Sequence, residues 1–349
     1  MNSIAVCLLI ALAATAYAPA TAVSASALPA VGTRQPVQHP PQTRQKLCDF
    51  AVQASRAQAL PMDQDPVFRA PPAEAKAALG VLRKDLMAGQ PEVVAAAERQ
   101  LAELLHGPHG PTLARLAMLD RTPAVQLAGI RAALPLASQH PRLFAFLPTL
   151  DAKTPPALAR AVVAFNFATH CDAPVLFSLD GLEHPDPAVV ADLIDRTAAL
   201  AGHLRDAAPI DRLVAWLMRR QGPPVLRARA VRALGHLGLV KLSNVWQQLA
   251  GDASPEVAAE AWPAWAQVAP GAAQVGLSAG GFADSRPLLS WGALRAAADA
   301  CALVPDRCDR AVRGYLGSKV AVIDPISGEK VQLSRVAEQV LRYWSVAGE

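Results

Sequence analysis

Six arginines and one lysine, Arg212, Arg219, Arg220, Arg227, Arg229, Arg232 and Lys241, fall between Asp211 and Lys241, where Asp211 is the sole acid. Guanidinium groups at that density suit carboxylate or phosphate recognition, because each offers a planar fork of donors. A helix starting at Val225 puts Arg229, Arg232 and His236 at i, i+3 and i+7, one stripe beside the apolar Leu226, Ala230, Leu234 and Leu237. Arg219, Arg220, Arg227, Arg229, Arg232 and His236 are therefore the candidate binding residues, for an acidic protein partner or an anionic envelope polymer. An ordinary solvated helix face is the competing reading.

Other reactive side chains are scattered. His106 and His109 share a Gly/Pro loop, His106-Gly107-Pro108-His109-Gly110-Pro111, with no local carboxylate or cysteine to complete a metal site. Thr169-His170-Cys171-Asp172 gathers nucleophile-type residues, but neighbours on a helix point about 100° apart, so Cys171 reads as structural. The chain carries no GxSxG elbow, HExxH, phosphate-binding glycine loop or CxxC. Nothing in it calls for a metal or a cofactor, and no catalytic residue is nominated.

The elements that must position these residues are set by proline. Pro91, Pro123, Pro156, Pro187, Pro224, Pro255 and Pro287 recur about every 32 residues, each followed two places on by Val or Leu. Six places after them stand Ala97, Gly129, Val162, Leu193, Ala230, Ala261 and Ala293, mostly small residues that allow helices to approach closely. Offsets of 2, 6, 10 and 13 trace one face of a helix. Thr122, Asp186 and Ser254 precede their prolines as expected side-chain caps, and proline suits the first turn because its missing N–H costs nothing there. Apolar segments at 143–150, 210–218 and 242–249 supply a second helix to their units. The expectation is an all-α chain, an α-solenoid of about seven helical hairpins over 46–318 in which each unit packs on its neighbours. Apolar residues at 52% with aromatics at only 5% agree, since the excess is mostly alanine, a strong helix former.

From Arg227 to Val268 the chain resembles two consecutive HEAT repeats of the short type also found in phycobilin-lyase relatives. The shared features are the ALGxLG turn at 233–238 and the DxxPxV motif at Asp120 to Val125 and Asp252 to Val257. The family often has arginine just after that valine, contributing to an Asp/Arg ladder, where this chain has Gln126 and Ala258. The resemblance implies an armadillo-type α-solenoid and says little about activity. Through the bilin-lyase relatives it suggests a lyase or isomerase as one enzymatic alternative, an envelope hydrolase being another.

Both ends leave the pattern. No charged side chain precedes Arg34, 4–18 is almost wholly apolar, and small residues follow, so 1–25 reads as a signal peptide cleaved after Ala25. The same run is long enough to span a bilayer, which leaves an uncleaved anchor, and through it a membrane association, as the alternative. Residues 26–45 read as a disordered Pro/Gln-rich tether. The expected location is periplasmic or secreted. In that setting Cys301 and Cys308, separated by the turn at Pro305, are the favoured disulfide, with Cys48 and Cys171 the weaker pair and free buried thiols the alternative. At the other end, 319–324 and 329–333 flank Pro325-Ile326-Ser327-Gly328 as a β-hairpin. Ser334 then caps a last helix with Val336, Val340, Leu341 and Trp344 on one side, so 319–349 reads as a cover for the open end of the array. These features point first to an exported scaffold or adaptor that binds another protein, an inhibitor, immunity protein or assembly factor of the envelope. A binder of an anionic polymer comes next, with nucleic acid the less favoured polyanion; the net charge of +4 neither demands nor excludes an acidic partner.

Overall fold

A computed structural model describes residues 64–136, 140–169, 180–201, 208–284 and 286–347. The expected signal peptide, the tether, Cys48 and the run His170-Cys171-Asp172 lie outside the described residues. Within them the protein is mostly helical, with fourteen α-helices and one two-stranded sheet. We number the helices α1 Ala73–Leu86, α2 Pro91–Leu105, α3 Gly110–Met118, α4 Pro123–Ala133, α5 Pro156–Thr169, α6 Pro187–Ala201 and α7 Ala208–Met218. There follow α8 Pro224–Gly235, α9 Ser243–Ala250, α10 Pro255–Val268, α11 Pro270–Gly276, α12 Pro287–Ala300, α13 Asp306–Arg313 and α14 Leu333–Ala347, with strands β1 Ala321–Ile323 and β2 Lys330–Gln332 before α14. The chain divides into two compact units, the described part of the first ending at Leu193 and the second taking up at Ile194.

Each of the seven periodic prolines is the first residue of a helix. The caps differ from expectation. Neither Thr122 nor Ser254 makes a side-chain cap bond. Instead the aspartate three places before the proline folds the turn: Asp120 Oδ1 accepts the Thr122 N–H at 2.8 Å and Asp252 Oδ1 accepts the Ser254 N–H at 3.0 Å. Asp284 accepts the Arg286 N–H in the same way at 2.9 Å. This is the Asx-turn alternative to a cap, and it leaves proline to start the helix. Asp186 does cap, its Oδ1 accepting the Ala188 N–H at 2.7 Å.

The buried face follows the proline offsets. Ala97, Gly129, Val162, Leu193, Ala230, Ala261 and Ala293 are all buried, as are Val125, Leu158, Val189, Leu226, Val257 and Leu289 two places after their prolines. In the second unit α8 packs on α10, α10 on α12, and α12 on α14; in the first, α2 packs on α4 and α4 on α5. Helices α10 and α12 approach closely. A Cβ on Gly292 would lie 2.5 Å from the Ala259 carbonyl oxygen. Pro263 inside α10 has no N–H for that same carbonyl, so the contact falls where the helix ladder is already interrupted.

Of the expected second helices, 210–218 and 242–249 correspond to α7 and α9. The segment at 143–150 does not form an α-helix: a 3-10 turn spans Pro141–Phe146 and the chain then runs irregularly, because Pro148 removes a donor and restrains Leu147. The C-terminal hairpin forms with Val322 opposite Val331 and its turn at 325–328, closed by Gly328 at φ 75°. Helix α14 starts one residue before Ser334, buries Leu333, Val336, Ala337, Val340 and Trp344, and donates Trp344 Nε1–H to the Ala298 carbonyl of α12 at 3.3 Å. Cys301 and Cys308, Cα atoms 6.3 Å apart, form the expected disulfide between the end of α12 and the first turn of α13.

Candidate functional site

The basic region folds into α7, α8 and the turns that bound them, and most of its charge points at carboxylates. Arg227, at 4% side-chain exposure, sends Nη2 to Asp252 Oδ2 at 2.6 Å and Nη1 to Oδ1 at 3.4 Å. Asp252 is itself 3% exposed, so this is a buried pair, and the aspartate that folds the α10 turn also neutralises α8. Arg227 Nε is buried and makes no hydrogen bond. Arg229 grips Asp195 of α6 with two bonds, Nε to Oδ1 at 2.8 Å and Nη2 to Oδ2 at 2.5 Å.

Arg232 is the centre of a larger network. Its Nε and Nη2 donate to Glu260 of α10 at 2.8 and 2.6 Å, while Nη1 and Nη2 donate to Asp324 of the hairpin turn at 2.9 and 2.8 Å. Glu260, 1% exposed, also accepts Arg295 Nη1 of α12 at 2.9 Å. Trp291 lies under both cations, its ring centroid 4.4 Å from Arg295 and 5.8 Å from Arg232. Two guanidiniums thus meet two carboxylates and their charges cancel.

Titration follows from this geometry. Burial opposes the charge on Arg232, but hydrogen bonds and attraction from Glu260 and Asp324 outweigh it and hold the guanidinium above its ordinary value. Burial likewise pushes Asp324 up; donation from Arg232 and from the Ile326 N–H prevails and leaves it below the usual carboxylate value. Asp252 is depressed in the same way, burial being overcome by Arg227 and the Ser254 N–H.

The stripe expected at Arg229, Arg232 and His236 is therefore not a free row of cations. The acids that meet it, Asp195, Glu260 and Asp324, come from 28 to 92 residues away, outside the stretch in which Asp211 stood alone. Arg219 and His236 are exposed. Arg220 is half exposed, 3.6 Å from Asp252, and holds a left-handed backbone at φ 58° just past the end of α7. Lys241 pairs with Asp211 at 3.3 Å. The local sequence carried one signal of the pairing: counted from the prolines, Asp195 and Arg232 sit at offset 8 while their partners Arg229 and Glu260 sit at offset 5 of the next proline-led helix. Neither Gln126 nor Ala258 takes part in these interhelical pairs. Gln126 instead donates to the Met118 carbonyl at 3.3 Å, and Ala258 is buried.

Elsewhere, His106 and His109 are exposed, and among the described residues no three of His, Cys, Asp and Glu converge as metal ligands. A groove between α1 and α2 is lined by Ala78, Val81, Leu82, Gln100 and Leu104 and holds no ionisable group. No helix of the described residues is long and apolar enough to cross a membrane. No family model, curated protein or solved structure matches this chain.

Proposed function

We propose that this is an exported scaffold or adaptor of the HEAT-like α-solenoid type, built from about seven proline-led units and engaging another protein. The observation that carries this reading is the repetition itself. The proline-led helices repeat the same buried positions, offset 6 in all seven and offset 2 in six, and stacked units of this kind present a repeated surface to a partner. The buried disulfide between Cys301 and Cys308 supports an oxidising compartment, and with it export. The internal pairing of Arg227, Arg229 and Arg232 weighs against an anionic polymer as the ligand, because a neutralised cation gains little from a polyanion.

The test is affinity capture from the envelope fraction with the tagged full-length chain. One envelope protein, retained in proportion to bait and displaced by untagged chain, is the expected result. Capture of nothing above a tag-only control, or retention of the chain on a polyanion column that falls steeply with salt, overturns the reading.

A further inference from the structure

Three of the proline-led helices open with aspartate as the acceptor three places before proline: Asp120, Asp252 and Asp284. Ahead of Pro187 the same place belongs to His184, whose Nδ1 accepts the Asp186 N–H at 3.0 Å. A backbone N–H only donates, so Nδ1 carries no proton. The ring proton is then on Nε2, which lies 2.8 Å from the Thr154 carbonyl oxygen, a group that only accepts. His184 is buried at 6% exposure, with both nitrogens committed in opposite senses.

We propose that His184 is a proton-operated latch joining the loop before α5 to the turn that opens α6. Neutral, it bridges Thr154 and Asp186; protonated, its Nδ1–H meets the Asp186 N–H, donor against donor, and the turn is released. Histidine is the side chain whose charge ordinarily changes between about pH 5 and 8, whereas aspartate in the sister turns keeps its acceptor oxygens through that range. Charged groups on the surrounding segments are Asp151 and Lys153 on the Thr154 loop, Glu183 and Asp186 beside the ring, and Asp192 of α6 with Arg160 of α5. Asp151 is engaged by the Lys153 N–H and the Thr154 hydroxyl, Asp186 by the Ala188 N–H and Asp192 by Arg160 at 3.5 Å. None of these three is directed at the imidazole by those bonds, and the latch rests on the two backbone groups, the Thr154 carbonyl and the Asp186 N–H.

Hydrogen–deuterium exchange of the full chain tests this with an internal control, because the α10 turn has the same geometry with Asp252 in place of histidine. After correction for intrinsic exchange, protection at the opening of α6 should fall about tenfold relative to that of α10 between about pH 8 and pH 5. His184→Asn, which keeps an acceptor at the Nδ1 position, should abolish the drop. A constant ratio of the two openings across that range in the wild-type chain overturns the latch, whether or not the variant folds. So does an identical fall in a folded His184→Asn variant.

Discussion

Glu260 shows what one residue does here. It is buried and holds two arginines at once, so truncating it leaves Arg295 without its carboxylate and Arg232 with Asp324 alone. Removing one member of a buried pair strands the other's charge, and Glu260→Ala should destabilise by about 3–5 kcal/mol in equilibrium urea unfolding. Arg229 and Asp195 make bonds as short, but both side chains are about one-third exposed, at 34% and 37%. Water screens that pair, so Arg229→Ala should cost about 1 kcal/mol or less in the same measurement. Equal losses for the two variants would mean that burial does not set the value of these contacts. The contrast also bears on how the basic region can be probed. Reversing Arg229 and Arg232 to Glu puts carboxylates against Asp195, Glu260 and Asp324, so that change tests folding before it tests binding.

Helix starts and helix partners were legible from the sequence to different degrees, and the reason is range. A proline and the residues just before it act within one turn, so all seven starts, the offset-6 contact position and the Cys301–Cys308 pair could be read locally. The choice of Asp120 and Asp252 over Thr122 and Ser254 as turn acceptors could have been read too, since the aspartate recurs at a fixed distance from proline. The arginine partners could not be read from charge density along the chain, because Asp324 reaches Arg232 across 92 residues. Helix spacing offers an independent check. Gly292 admits the Ala259 carbonyl of α10, and a methyl group there must push backbone, not a side-chain tip. Gly292→Ala should therefore destabilise by about 1–3 kcal/mol despite alanine's better helix propensity, whereas Gly80→Ala on α1, with nothing within 4 Å of its Cβ, should be neutral or stabilising. Thermal unfolding of the two variants distinguishes packing from propensity.

The two units carry their pH-sensitive groups and their reporters unevenly. All six tryptophans, Trp216, Trp246, Trp262, Trp265, Trp291 and Trp344, lie in the second unit, together with the depressed Asp252 and Asp324; His184 lies in the first, which has none. A carboxylate whose folded value lies below its unfolded 3.8 contributes stability that is present above 3.8 and is lost as pH falls through the folded value. Protonating Asp252 also leaves Arg227 buried without its counter-charge. The second unit should therefore hold its packing down to about pH 4 and lose it below that. Tryptophan emission, with Trp246 fully buried in the native state, should shift to the red only in that acid range. The proposed release of the His184 turn is a first-unit event, and it should leave the emission unchanged while exchange at the opening of α6 accelerates. A red shift already complete at pH 5 would show that the second unit responds to something other than the depressed Asp252 and Asp324. Emission steady to about pH 2 would mean that their pairing with Arg227 and Arg232 contributes little to holding the unit together.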